Sequence, residues 1–295
     1  MTLSKRVLLI VNPISGRRRS ENGLVRLRDV LTREGFEVIE RPTAAPGDAR
    51  AMAAGAPDDL RAVLVYGGDG TVREIAEGLS GRGLPMYHLP VGNENLFAKH
   101  FGMSGRPDRV VAAVKRRQSR RIDLVEVNGA VCACCLGVGF DAEVVRVVTA
   151  QRRGHVSNWN YVGPIARTIF AYRFPQLEVQ SEGRTVFSGR GMFFAGNLTR
   201  YAVGIGLFGK ALDDDGLLDV VVFPCHNRRG FLKSLVLTLA DRHYNHDGVI
   251  SLRTANLKVI ADGGVAVQVD GDVGPAMPIE ARMRPGALDV LLPAD

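Results

Sequence analysis

The chain has 295 residues, 46% hydrophobic and 23% charged, which supports two packed cores and excludes an extended disordered polypeptide. Its formal charge of +7, from 38 Lys+Arg against 31 Asp+Glu, favours anionic partners: nucleotides, nucleic acid or an acidic membrane surface. No run of about 18 apolar residues occurs, so no membrane-spanning helix is expected.

The first apolar run, Val7 to Val11, reads as a buried strand. Asn12-Pro13 ends it, and it is too short for the core of a signal peptide. A polar, flexible loop follows, Asn12-Pro13-Ile14-Ser15-Gly16. Leu24, Leu27, Val30 and Leu31 then recur at helical spacing, and Gly35 stops the helix. Phe36 to Ile39 is a second strand, Ala49 to Ala54 a short helix, and Ala62 to Tyr66 a third strand. That strand runs straight into Gly67-Gly68-Asp69-Gly70-Thr71, and a helix spans Val72 to Leu79. Met86 to Leu89 is a fourth strand, ending in Pro90-Val91-Gly92-Asn93-Glu94-Asn95. Strand–helix alternation of this kind predicts a parallel sheet covered on both faces.

After about Asp123 the rhythm changes. Leu124–Val127, Val131–Leu136, Leu177–Gln180, Gly191–Ala195, Leu217–Phe223 and Leu257–Ile260 read as strands separated by turns. One helix interrupts them, with Phe231, Leu232, Leu235, Val236 and Leu239 on one face. The fold class expected is an α/β N-terminal domain with a parallel sheet, residues 1–123, then a mostly β, sandwich-like domain, residues 124–295. The extreme C-terminal segment is allowed to return towards the first domain. Cys132, Cys134 and Cys135 are spaced wrongly for zinc and read as buried strand thiols of a reducing cytoplasm. Gly204 to Gly209 matches a dinucleotide fingerprint, but no helical pattern follows, so it reads as a glycine turn. His243 and His246 read as exposed helix-end residues.

The sharpest chemistry lies at Gly67–Thr71. Glycines let a backbone approach an anion and adopt positive φ, and a helix start offers free amides and the positive end of its dipole to phosphates. Asp69 stands among these groups, where a carboxylate can reach a metal ion, a water or a hydroxyl proton; it is expected to serve the site rather than the core. Its plainer role is to cap the helix. Three loops at the carboxyl ends of parallel strands are where an open α/β sheet binds its ligand.

The ordered set Asn12–Gly16, Gly67–Thr71, Pro90–Ala98, Gly137–Ala142, Asp215–Asp219 and Val269–Asp272 resembles the diacylglycerol kinase catalytic family, which includes bacterial soluble lipid kinases and sphingosine kinases. The resemblance implies a nucleotide domain, a β-rich lipid domain and an active-site cleft between them. On that pattern Asn12, Pro13, Ile14, Ser15, Gly16, Thr43, Gly67, Gly68, Asp69, Gly70, Thr71, Val72, Arg73 and Asn93 would line the nucleotide site. Asp272 would accept the hydroxyl proton, with Asp69 as the second catalytic carboxylate. The carbonyls of Leu212 and Leu217 and the carboxylate of Asp215 would hold magnesium, a hard cation suited to oxygen ligands; without the resemblance that acidic run reads as a solvated turn.

Four positions depart from the family pattern. Asn93 stands for a usual threonine, Arg73 for a common asparagine, Leu96 for a frequent aspartate, and Asp272 for a glutamate one methylene longer. The implied activity is ATP- and Mg2+-dependent phosphorylation of a lipid alcohol such as diacylglycerol. The implied protein is cytoplasmic and peripheral at the inner face of the membrane, with no nucleic acid partner and with a homodimer as an option. Arg116, Arg117, Arg120 and Arg121, or Arg152 and Arg153, are the candidates for contact with anionic lipid. The alternatives are a nucleotide- or lipid-binding regulatory protein with little turnover, and a kinase with a soluble substrate. For the latter, the Gly-Ser-Thr-Ala segment of NAD kinases and the Thr-Ile-Asp segment of phosphofructokinases are missing.

Overall fold

A computed structural model describes residues 4–15, 20–151, 172–201, 205–225, 227–245 and 248–294. The chain divides into two units: Met1–Leu124 together with Arg284–Asp295, and Val125–Met283.

In the first unit, β1 (Arg6–Val11), β2 (Glu37–Pro42), β3 (Ala62–Gly67) and β4 (Met86–Pro90) form a parallel sheet in the order β2-β1-β3-β4. The end of β15 (Ile279–Leu291) adds to β4, with Val290 opposite Met86. Every residue of β3 is buried, as expected for a strand covered on both faces. Leu9, Ile10 and Leu64 are fully buried, and each such side chain contributes roughly 1.5–3 kcal/mol. The helices are α1 (Ser20–Arg33), α2 (Asp48–Ala54), α3 (Asp69–Leu79), α4 (Leu96–His100) and α5 (Pro107–Arg116). On α1 the buried positions are Leu27 and Leu31, one turn apart, and Gly35 with φ 82° closes the helix. The pattern reading did not include α5, although Pro107 in its first turn and buried Val110, Val111 and Val114 carry the signal.

β1 sits between β2 and β3: Val7 lies opposite both Val38 and Ala62. The chain therefore leaves β1 towards one edge of the sheet and later returns to β1's other side. This reversal of strand order opens a crevice at the carboxyl ends of β1 and β3, where their loops diverge.

The chain enters the second unit within β5 (Ser119–Val127) and leaves it within β15. Between them lie β6 (Ala130–Cys132), β7 (Cys135–Val138), β8 (Gln176–Ser181), β9 (Arg184–Gly196), β10 (Leu218–Pro224), β11 (Ile250–Thr254), β12 (Asn256–Ala261), β13 (Val267–Val269) and β14 (Asp272–Val273). β9 is long and serves two ladders. Its first half pairs antiparallel with β8, and its second half with β7 and β10. Alternate residues of these strands, among them Leu136, Val179, Phe193, Val220, Val259 and Val269, share one apolar core. Among its described residues this mostly β, sandwich-like unit carries α6 (Phe140–Gln151) and α7 (Arg228–Leu239), of which the pattern reading placed α7.

The run Val131–Leu136, expected as one strand, is two. The carboxylate of Asp270 accepts hydrogen bonds from the amides of Ala133, Cys134 and Cys135 at 2.7–2.8 Å, which pulls that backbone out of the ladder between β6 and β7. Cys132, Cys134, Cys135 and Cys225 are free and buried, and burial beside Asp270 raises the Cys132 thiol. His243 is fully buried with Nε2 3.1 Å from the Leu207 carbonyl, not exposed as expected. Gly16, Arg152, Arg153, Gly204 and His246 lie outside the described residues.

Candidate functional site

In the first unit the loop after β3 meets the loops after β1 and β4. Asn12 donates from Nδ2 to the Thr71 hydroxyl at 2.9 Å, its amide donates to the Tyr66 carbonyl, and its Oδ1 accepts from the Ile14 amide. One side chain thus ties the β1 loop to the start of α3. Thr43 donates its amide to the Val11 carbonyl at 2.9 Å, which sets it beside the same strand end. Pro13 and Ile14 are exposed and Ser15 is half-buried.

The glycines serve close approach, and none of Gly67, Gly68 and Gly70 takes the positive φ anticipated from sequence. A Cβ on Gly67 would stand 2.7 Å from the Thr71 side chain, and one on Gly92 would stand 2.7 Å from the Gly68 Cα. The β3 and β4 loops are therefore packed backbone against backbone, with exposed Asn93 next in the chain after Gly92. Intrahelical bonding of α3 begins with Val72 N to Gly68 O at 3.1 Å, and no side chain caps the helix start. Its first amides and the dipole's positive end are groups of the kind that can receive an anion. Val72 is fully buried, so only its backbone can serve a ligand, and Arg73 is half-buried on α3.

Asp69 does not cap α3. Its two carboxylate oxygens accept the amides of Leu96 and Phe97, each at 3.1 Å, and so cap α4 from across the site. The expectation that Asp69 serves the site alone is corrected: it also anchors a buried helix turn. Leu96, where the family often has aspartate, is buried in that turn.

Two residues were missed. Asn95, at φ 52°, accepts from the Gly92 amide and donates to the Gly92 carbonyl, at 2.9 and 2.8 Å. An asparagine directly before a helix is a cap signal that could have found it. His88 is fully buried, with Nε2 3.0 Å from the Gly67 carbonyl; burial lowers its pKa, so the ring bonding the glycine loop is neutral. No local signal points to it.

In the second unit Asp270 and Gly271, at φ 53° and 83°, make the two-residue turn between β13 and β14, with Val269 opposite Asp272. Asp270 faces inward onto the Ala133–Cys135 amides, while Asp272 opens β14 half-buried. A buried chain of hydrogen bonds supports the turn. Tyr201 donates to Asp141 Oδ2, Gln268 donates to the Tyr201 oxygen at 2.8 Å, and the Gly271 amide donates to Gln268 Oε1 at 2.9 Å. A Cβ on Gly137 would fall 2.0 Å from Asp141 Oδ2, so the first glycine of the Gly137–Ala142 motif makes room for this carboxyl.

Burial raises the Asp141 carboxyl from 3.8 to about 6, against the opposing hydrogen bond from Tyr201. Below about pH 4 the folded and unfolded states both hold the proton, and this group's contribution to stability is complete. As pH rises to about 6 the unfolded chain releases its proton first, so the contribution declines and is lost. Asp141→Asn removes that decline. Relative to the variant, the parent is expected to lose about 2 kcal/mol between pH 4 and 7. Asp219, also raised to about 6 by burial, acts equally on both proteins. Denaturant unfolding at several pH values reads the difference, and parallel curves would exclude the buried neutral acid.

The turn expected to hold magnesium is otherwise engaged. Asp215 pairs through Oδ2 with Arg253 and accepts the Leu217 amide on Oδ1 at 3.1 Å, and Arg253 Nε stands 3.5 Å from Asp219. Asp213 is buried and Leu212 exposed. A guanidinium pairs with the one carboxylate of that ligand set, and a divalent cation bound there would have to displace this exposed ion pair. Among the described residues no cluster of three acidic, histidine or cysteine side chains is grouped to hold a metal.

Residues 6–127 match the family described as Diacylglycerol kinase catalytic domain, and residues 134–292 match the YegS C-terminal NAD kinase beta sandwich-like domain. The chain is 27% identical to a diacylglycerol kinase of Bacillus subtilis, over 94% of this chain and 92% of that one. It is 32% identical to a "Probable lipid kinase YegS-like" protein of Pseudomonas aeruginosa, over 98% and 95%. A crystal structure described as a diacylglycerol kinase from Bacillus anthracis superposes with a TM-score of 0.73 over 99% of this chain and 98% of that one. Its identity is 18%, which shows a common fold.

Proposed function

From the premise that the chain belongs to the diacylglycerol kinase catalytic family, we propose that it transfers the γ-phosphoryl group of ATP to the hydroxyl of a diacylglycerol-like lipid. The observation that carries this reading is the uncapped start of α3, set among glycine loops packed too closely for any side chain at Gly67 or Gly92. Backbone amides at such a place bind phosphate without offering a nucleophile of their own. Asn12, Thr43, Gly67–Thr71 and Asn93 are the nucleotide contacts of this proposal.

Asp272 takes the proton of the lipid hydroxyl as its oxygen bonds to the γ-phosphorus and the bond to the β-phosphate oxygen breaks, leaving ADP. The transfer asks mainly for positioning and charge neutralisation. ATP brings Mg2+ as its phosphate counter-ion in this proposal, and no step is assigned to the turn at Asp215. Contact with the lipid is peripheral in this proposal; among the described residues no helix is long and apolar enough to cross a membrane.

The test is turnover of labelled ATP against detergent-dispersed diacylglycerol, a mixed lipid extract, and NAD as a soluble acceptor. Label in the organic phase supports the proposal. Phosphorylation of NAD alone, or nucleotide binding with no turnover on any acceptor, defeats it.

A further inference from the structure

Helix α7 buries Phe231 and Ser234 and turns Leu232, Val236 and Leu239 outward, at 59%, 56% and 64% exposure. Their spacing of four and then three residues aligns them in one stripe along the helix. Exposed Arg229 and Lys233 flank the start of this stripe, and exposed Arg242 follows the end of the helix.

The charges run against the helix dipole. The first turn of α7 holds no acidic residue and the last turn no basic one. Cations at a helix N-terminus cost stability in isolation and become favourable beside an anion. A cleft lined in part by Arg200, Ile205 and Leu239 opens at the far end of the stripe.

We infer that α7 is the surface on which this protein meets an anionic lipid bilayer, with Leu232, Val236 and Leu239 at the acyl boundary and Arg229 and Lys233 at the phosphates. An apolar stripe bordered by cations is the pattern of an interfacial helix. The inference rests on the lipid-kinase reading, because a lipid acceptor must be collected from a membrane surface. A second copy of the chain fits less well. One stripe of three side chains is far below the roughly 1,200 Å2 of a stable interface, and a two-fold contact would bring like charges together. The basic cluster at residues 116–121 is partly engaged within its own unit: Arg121 lies 3.6 Å from Asp289, and Arg120 stacks 5.7 Å over Phe101.

The experiment is co-sedimentation with phosphatidylcholine vesicles, with and without phosphatidylglycerol, at several salt concentrations. The parent is compared with Leu232→Ser/Val236→Ser and Arg229→Ala/Lys233→Ala. The parent binds the anionic vesicles and releases as salt rises, because exposed charges are screened over about 8 Å at physiological ionic strength. Each double variant binds about tenfold more weakly or worse, and the basic pair also loses most of the salt dependence. Unfolding midpoints stay close to the parent's, with the basic-pair variant at or slightly above it, since all four side chains are exposed and two cations leave the helix start.

Equal vesicle binding by parent and variants overturns the inference, as does a parent that ignores anionic vesicles. A stripe variant that elutes as a monomer where the parent elutes as a dimer assigns α7 to self-association instead. Turnover on detergent-dispersed short-chain diacylglycerol is expected to be unchanged in both variants, and a loss there would place α7 in the site rather than on the membrane. Absence of turnover in the parent defeats the kinase reading, while the vesicle result still judges α7.

Discussion

Asp272→Asn is expected to reduce lipid phosphorylation by roughly 10²–10⁴-fold, the usual contribution of a positioned acid or base. ATP affinity should stay within a few fold, because the nucleotide contacts proposed above belong to the other unit. The geometry of the turn separates the two aspartates beside Gly271. Asp270 is committed to three backbone amides, so Asp270→Asn would disturb the β6–β7 junction and the fold. Asp272 is the half-buried residue that opens a two-residue strand, so the unfolding midpoint of its variants is read beside their turnover. Asp272→Glu restores the longer side chain common in the family and should retain measurable activity if a carboxylate is what matters. Nucleotide affinity, turnover and unfolding midpoint measured on both variants decide the point. An Asn variant that turns over like the parent would move the proton acceptor elsewhere, with Asp69 next in line.

Asp69→Ala is expected to fail differently, losing stability and nucleotide affinity together. Removing the carboxylate strips acceptors from the amides of Leu96 and Phe97, and each orphaned amide costs about 1–3 kcal/mol. Partial access of water at this half-buried site limits the total to roughly 2–4 kcal/mol. Leu96, Phe97 and Ala98 are buried, so the turn cannot shift freely to find other partners. The loop preceding it carries Asn93 and the Gly92–Gly68 contact, and loosening it should raise the KM for ATP at least as much as it lowers kcat. Asp69→Asn keeps one acceptor and points an NH2 at a backbone N–H, so about half the stability loss is expected. Denaturant unfolding alongside steady-state kinetics separates this pattern from that of Asp272. Full stability in the Ala variant would show that the α4 cap is not formed in solution.

The sequence alone determined the elements whose causes are local. Val7–Val11 and Ala62–Tyr66 are apolar on both faces, and that pattern has no other stable use than a covered parallel strand. The glycines at 67, 68 and 70 marked a loop that an anion can approach, and the order of motifs along the chain marked the family; the close contact of Gly92 with Gly68 came from packing. What neighbours far along the chain decide could not be read in this way. Asp69 reaches amides 27 and 28 residues away, Asp270 reaches amides 135–137 residues away, and Arg253 reaches back 38 residues to Asp215. Each of these contacts changed a role: a site carboxylate became also a helix cap, one strand became two, and an expected magnesium ligand became half of an ion pair. A carboxylate's job depends on which donors surround it, and sequence spacing records only those donors that the next few residues supply. Tertiary packing chose the rest, because a buried amide without a partner costs more than the local backbone preferences that would have kept these side chains apart.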